Sequence, residues 1–178
     1  MGVPKHLAWV GTMPLIHRTI EQIQATFPGQ EIILMASNPA YAHAGVNVQR
    51  TQEKSVLSGT SLGHAFEFWR GTDSLHILGD VIWENMACLG DLPKGLTFFG
   101  HRGAHVWKRN GEICAIWLPA IDQPKVLKAI TQIKRDGLKH DGWEVLRLTK
   151  ARFIGCSDRT TDLDYPTDYS QWFAAGRI

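Results

Sequence analysis

The sequence predicts one α/β domain in three α/β/α layers: a mostly parallel, Rossmann-like sheet covered by helices on both faces, with one antiparallel hairpin excursion. Three observations carry this. Apolar runs of strand length, EIILMAS at 31–37 and LHILGD at 75–80, alternate with segments of helical period, as in strands joined by crossover helices. Asn110-Gly111 lies between two β-rich runs and signals a two-residue hairpin turn. The 178 residues form a single domain, 1–178, long enough to bury a core and free of linkers or internal repeats.

The elements follow in order. After the opening PKHLAWVGTMPL, residues Leu15, Ile16, Thr19, Ile20, Ile23 and Phe27 recur near a 3.6 period until Pro28-Gly29 stops them. EIILMAS is a continuous apolar run, the mark of a buried parallel strand, and VNVQR at 46–50 is a short outer strand. A loop and a helix from about Ser61 to Arg70 lead to LHILGD. GLTFFGHRG and HVWKRNGEICAIWLPA carry the antiparallel excursion. Pro124 opens and Gly137 closes an amphipathic helix, PKVLKAITQIKRDG, and WEVLRLTKARFIG is expected to hold the last strand or two. PTDYSQWFAAG reads as a terminal helix with Tyr169, Trp172 and Phe173 on its apolar face.

Bulk properties exclude several classes. The chain is 44% hydrophobic and 20% charged with a formal net charge of +2, and its Lys and Arg are dispersed, so the basic stripe of a nucleic-acid polymer binder is missing. No apolar segment approaches the roughly twenty residues that span a bilayer, and MGVPKHLAW has no signal-peptide pattern. A cytoplasmic protein without membrane attachment is expected. Cys88, Cys114 and Cys156 are odd in number and far apart, which implies neither a disulfide framework nor a Cys-x-x-Cys zinc site; they read as buried, reduced thiols.

The chemistry lies in two acidic sites. Asp80 closes LHILGD, and a strand that ends in Gly-Asp sets a carboxylate at the carboxyl edge of the sheet, where open α/β folds bind ligands. Asp162 and Asp164, in TDLDYPTDY, add two more carboxylates. Three oxygen donors suit Mg²⁺, which completes its octahedron with water and substrate phosphates, and together they suggest metal-assisted phosphate chemistry. Taken singly, each site also reads as a turn or the start of a helix; their combination favours function.

The chain resembles the small nucleotidyltransferases of the GT-A type, the NTP transferases that include the MobA-like molybdenum-cofactor guanylyltransferases and the sugar-phosphate and cytidylyl transferases. Three segments carry the resemblance in the expected order: VPKHLAWVGTMPLIHRTI at 3–20, ILGDVIW at 77–83 and LDYPTDY at 163–169. They match the family's Pro-Lys segment with the start of its first helix, its metal-binding Gly-Asp, and its Asp-rich ending.

The resemblance implies attack by a small phosphorylated acceptor (a sugar phosphate, a phospho-alcohol or a pterin phosphate) on the α-phosphorus of a nucleoside triphosphate, with release of pyrophosphate. Asp80 would bind Mg²⁺, Asp162 and Asp164 would complete or orient the metal site, and Lys5 would contact the triphosphate. The attacking phosphate is already an anion, so catalysis would rest on positioning and electrostatics. Ser58, Gly59, Thr60 and Ser61, in LSGTSLGHA, occupy the family's base-reading loop; without the family they read equally as a loop with a helix N-cap. Lys150 and Arg152 read either as phosphate contacts or as a solvated strand edge. His101, Arg102 and His105 are open between an acceptor-facing role and none.

The chain departs from the family in one serious way. The family's first strand and Gly-rich loop precede its Pro-Lys segment, whereas here Met1-Gly2-Val3 stand directly before Pro4-Lys5. In the family that strand lies between the counterparts of EIILMAS and LHILGD. The expected gap has several closures: recruitment of HLAWV, direct pairing of the flanking strands, a strand from a second chain in a homodimer, or a start upstream of Met1. Loss of the loop makes a catalytically impaired relative, binding a nucleotide or a protein partner, the alternative to an active enzyme. A glycosyltransferase is the weaker third reading, since no D-x-D pattern occurs midway along the chain.

Overall fold

The computed structural model describes residues 4–36, 39–43, 46–50, 62, 69–102, 111–138, 141–156, 160–162 and 170, with backbone alone at 49, 50 and 162. Its strands are β1 (Trp9–Val10), β2 (Met13–Pro14), β3 (Ile33–Ala36), β4 (Asn47–Arg50), β5 (Ser74–Ile77), β6 (Val81–Ile82), β7 (Thr97–His101), β8 (Glu112–Leu118), β9 (Arg152–Gly155) and β10 (Thr161–Asp162). The α-helices are α1 (Leu15–Thr26), α2 (Gln123–Arg135) and α3 (Gly142–Thr149).

A four-stranded sheet in the order β5-β8-β7-β9 forms the centre. β7 and β9 are parallel, and β8 runs antiparallel to both of its neighbours, β5 and β7. Three of the four strands therefore point the same way, and β8 is the expected antiparallel excursion. Gly111, with φ 72°, immediately precedes β8; the rest of the expected turn lies outside the described residues.

The sheet is covered on both faces. Phe98 and Phe99 are adjacent and fully buried on β7, yet belong to different clusters. Successive strand residues point to opposite faces. Phe98 packs with Ile116, Leu118, Val126, Ile130, Ile133 and Val145, the cluster of α2 and α3. Phe99 packs with Val81, Trp83, Cys114 and Ala115, and Ile23 and Phe27 at the end of α1 close that side. Each buried aromatic contributes about 1.5–3 kcal/mol relative to exposure, so β7 joins two cores with one strand.

The helices form where their apolar period and caps direct them. In α1, Leu15, Ile16, Thr19 and Ile20 are the buried face, and Pro14 precedes it with φ −58°, already suited to a helix start. Pro124 lies in the first turn of α2, whose buried face is Gln123, Val126, Ala129, Ile130 and Ile133. Gln123 is a buried amide with three partners: its Nε2 donates to Trp69 O and Thr72 O, each at 2.7 Å, and its Oε1 accepts from Gly71 N at 2.8 Å. It thereby ties the chain ahead of β5 to the start of α2.

The segment WEVLRLTKARFIG holds one strand, β9, as expected, with an additional helix, α3, ahead of it. The Asp141 side chain accepts from Glu144 N at 3.0 Å, an N-cap that satisfies a free donor of the first turn, and Lys150 ends the helix in the left-handed region at φ 50°. The N-cap and tertiary packing favour the helix. The expected terminal helix lies outside the described residues apart from Ser170, which is helical.

β3 and β4 pair in parallel as a separate sheet. Among the described residues β3 does not pair with β5, so the flanking strands have not closed directly. HLAWV is not recruited between them either: Lys5–Leu7 is a 3-10 turn and Trp9–Val10 forms a hairpin with β2. No helix among the described residues is long and apolar enough to cross a membrane.

Candidate active site

Lys5 and Asp80 meet at the carboxyl end of β5, with Lys5 Nζ 2.5 Å from Asp80 Oδ2. Each arrives by a short, well-tied path. Pro4 opens the 3-10 turn, where Leu7 N donates to Pro4 O at 2.8 Å and Ala8 N to Lys5 O at 3.1 Å. Leu15 N then donates to Ala8 O at 2.8 Å, so the head of α1 anchors the segment carrying Lys5. On the other side, Leu78 N donates to Cys114 O at 3.0 Å, extending the β5–β8 ladder one residue before the Gly79-Asp80 turn.

Gly79 is a close-packing position. A Cβ there would lie 3.1 Å from Ile16 Cδ1, which would have to give by a few tenths of an ångström, and at ordinary contact distance, 3.4 Å, from His6 Cδ2.

The ion pair is half-exposed, its side chains 34% and 23% accessible. A pair so placed contributes about 1 kcal/mol or less, and Lys5 can exchange Asp80 for another anion at small cost. His6 sits behind it. Burial lowers the His6 pKa, the Asp80 carboxylate opposes that shift, and the Lys5 ammonium adds to it. Tyr41 packs at 5.5 Å between ring centroids, its hydroxyl 3.5 Å from His6 Nδ1. Burial raises the Tyr41 pKa, which keeps the phenol protonated beside the imidazole. His6 and Tyr41 did not stand out in the sequence; only the adjacency of His6 to Lys5 hinted at it.

The second acidic segment arrives through β10, which pairs with β6 in antiparallel register, Asp162 opposite Val81 and Thr161 opposite Ile82. Opposed Cα atoms in such a ladder lie about 4.5–5.5 Å apart. The backbone of Asp162 is therefore one residue away from Asp80 across the pair. Thr160 Oγ1, on a fully buried residue, accepts from Glu84 N at 3.4 Å and continues the lacing. Asp164 lies outside the described residues, as do Ser58, Gly59, Thr60 and Ser61.

The secondary candidates have structural settings. Lys150 caps α3 and does not lie in the strand, as the sequence had suggested; Arg152 opens β9 and is exposed. Arg102 lies with its guanidinium carbon 4.9 Å from the Phe153 ring centroid. His101 ends β7, and His105 is outside the described residues.

No family model and no curated protein matches the chain. Solved structures do. The CTP:phosphocholine cytidylyltransferase of Streptococcus pneumoniae superposes with a TM-score of 0.68 at 15% identity, covering 97% of this chain and 90% of its own. A nucleoside-diphosphate-sugar pyrophosphorylase from Vibrio cholerae gives 0.64 at 9% identity, over 98% and 93% of the two chains. A Bacillus anthracis protein assigned as a glucose-1-phosphate thymidylyltransferase gives 0.63 at 16%, over 97% and 86%. The chain shares the α/β fold of these nucleotidyltransferases along nearly its whole length.

Proposed function

We propose that the chain is a Mg²⁺-dependent nucleotidyltransferase that moves a nucleotidyl group from a nucleoside triphosphate to a small phosphorylated acceptor and releases pyrophosphate. The observation that carries the reading is the Lys5–Asp80 pair at a strand end, beside the β6–β10 ladder that bears Asp162. The shared fold supports the class. The order of the motifs at 3–20, 77–83 and 163–169 favours MobA-like relatives within it, and the same reading takes the protein as cytoplasmic.

The residues fit a hard cation. Asp80 already holds one, the Lys5 ammonium, and carboxylate oxygens at a strand end are the donors that Mg²⁺ prefers. Asp80 would hold the ion, with Asp162 and Asp164 completing or orienting its shell. Bound there, the ion would neutralise charge on the phosphoryl oxygens and the departing pyrophosphate.

The chain's own part is electrostatic and positional. Lys5 leaves Asp80 for the triphosphate and meets the negative charge that builds as the α-phosphorus is attacked. An acceptor phosphate oxygen forms the new P–O bond, the bond to the β-phosphate breaks, and its electron pair leaves with pyrophosphate. His6, the next residue of the same turn, packs on Tyr41. Ser58, Gly59, Thr60 and Ser61 are assigned to contact the base. A pyrophosphate-release assay tests the reading: Asp80→Asn is expected to abolish turnover with an unchanged melting temperature, and equal turnover by the variant would refute it.

The separation of the β3–β4 sheet from β5 favours a second reading, in which the chain binds a nucleotide or a protein partner without turnover. A strand from a second chain, as in a homodimer, would join the sheets. Steady turnover by the 178-residue protein rules this reading out.

A further inference from the structure

Cys88 and Cys156 are 68 residues apart in sequence, yet their Sγ atoms lie 3.4 Å apart. Both are reduced thiols. Against the expectation that all three thiols are buried, Cys88 is only half-buried, in the 3-10 turn Ala87–Leu89, whereas Cys156 is buried just beyond β9. Their contact is a rung of a longer ladder. Val81 faces Asp162, Ile82 faces Thr161, Glu84 N reaches Thr160 and Cys88 meets Cys156; one segment ascends as the other descends. Cys156 N also donates to Gly100 O at 2.7 Å, which fixes this thiol against β7.

We propose that Cys88 and Cys156 form an oxidisable dithiol that a peroxide converts to a disulfide, locking the segment after Asp80 onto the segment before Asp162. The half-buried Cys88 is the thiol a small oxidant reaches first, and the buried Cys156 resolves it. The Cys88 thiolate attacks one peroxide oxygen, the O–O bond breaks, and the departing hydroxide takes a proton to become water, leaving Cys88 as sulfenic acid. Cys156 sulfur attacks Cys88 Sγ, the S–O bond breaks, the Cys156 proton leaves with that oxygen as a second water, and the S–S bond forms. Two thiols lose two electrons and the peroxide gains them. The sulfurs close from 3.4 Å to about 2.05 Å.

Cys114 is an internal control, since it is fully buried on β8. Hydrogen peroxide is added to the folded protein, which is then denatured and alkylated, and its mass and peptides are read. The expected result is loss of two of the three alkylatable thiols, a mass lower by about 2 Da before alkylation, a peptide joining 88 to 156, and full recovery with dithiothreitol. Cys88→Ser and Cys156→Ser are each expected to abolish the cross-link, and Cys114→Ser to retain it. A cross-link through Cys114, three alkylatable thiols after treatment, or Cys88 ending as sulfinic acid without a cross-link would each overturn the proposal.

Discussion

Asp162 lies opposite Val81 in the β6–β10 pair, one residue from Asp80 across the ladder. Two residues of antiparallel strand thus bring together carboxylate-bearing segments separated by some eighty positions. Val81 and Ile82 are fully buried, which ties the ladder to the core beneath α1. Asp162→Asn is expected to weaken Mg²⁺-dependent nucleotide binding by about tenfold or more, with little change in melting temperature, because loss of one ionic ligand or orienting charge is worth about 1.4 kcal/mol or more there. Calorimetry at fixed Mg²⁺ checks this.

Lys5→Ala is expected to weaken triphosphate binding or slow turnover by about 10²–10³, the scale of a charged group aimed at a developing anion. It should change stability by no more than about 1 kcal/mol, given the exposure of the ion pair. Kinetics and thermal melts of the same preparation separate the two effects.

Gln123→Leu is expected to destabilise the fold by about 3 kcal/mol. It removes three hydrogen bonds, to Gly71 N, Trp69 O and Thr72 O, each worth a net of about 0.5–1.5 kcal/mol, while Trp69 O keeps its bonds from Thr72 N and Thr72 Oγ1. Chemical denaturation measures the loss.

Gly100→Ala tests the bulge in β7. The register shifts between Phe99 and Gly100, and a Cβ at Gly100 would lie 1.8 Å from Glu112 O. The backbone of β8 must move, so a loss of about 3 kcal/mol or more is expected, read as a fall of roughly 10 °C in melting temperature.

Stability is expected to fall in mild acid through His76. Burial lowers its pKa from 6.5 to about 4, and its Nε2 lies 3.0 Å from Ser74 Oγ. The folded state keeps His76 neutral while the unfolded chain takes up a proton near 6.5. Its stabilising effect is complete above that value and is lost as the pH falls from 6.5 towards 4, by at most about 1.4 kcal/mol per unit. His76→Asn is expected to flatten this part of the profile, measured by urea denaturation at several pH values.

The architecture was legible where period and punctuation agreed. α1, β3 and β4 fall within the expected segments and α2 starts one residue ahead of its own, at Gln123, because Pro28-Gly29, Pro124 and Gly137 bound strong apolar patterns. α3 was overlooked, although Asp141 followed by Glu144 is a readable N-cap pattern and Leu, Arg and Glu favour helix; the sequence reading joins the segment to the strand that follows it. Lys5 and Asp80 were both candidates from sequence, but their contact depends on the 3-10 turn and on the Leu15–Ala8 hydrogen bond. Tyr41 carried no sequence signal because it reaches His6 from a separate turn.

The most direct test is calorimetric titration of the protein with ATP, GTP, CTP and UTP, with and without Mg²⁺, repeated on Asp80→Asn. The expected result is Mg²⁺-dependent binding of one nucleotide by the wild-type chain and its loss in the variant, whose melting temperature stays unchanged. Absence of binding by the wild type, or equal binding by Asp80→Asn, would contradict the assignment of Asp80 and its neighbours as a nucleotidyl-transfer site.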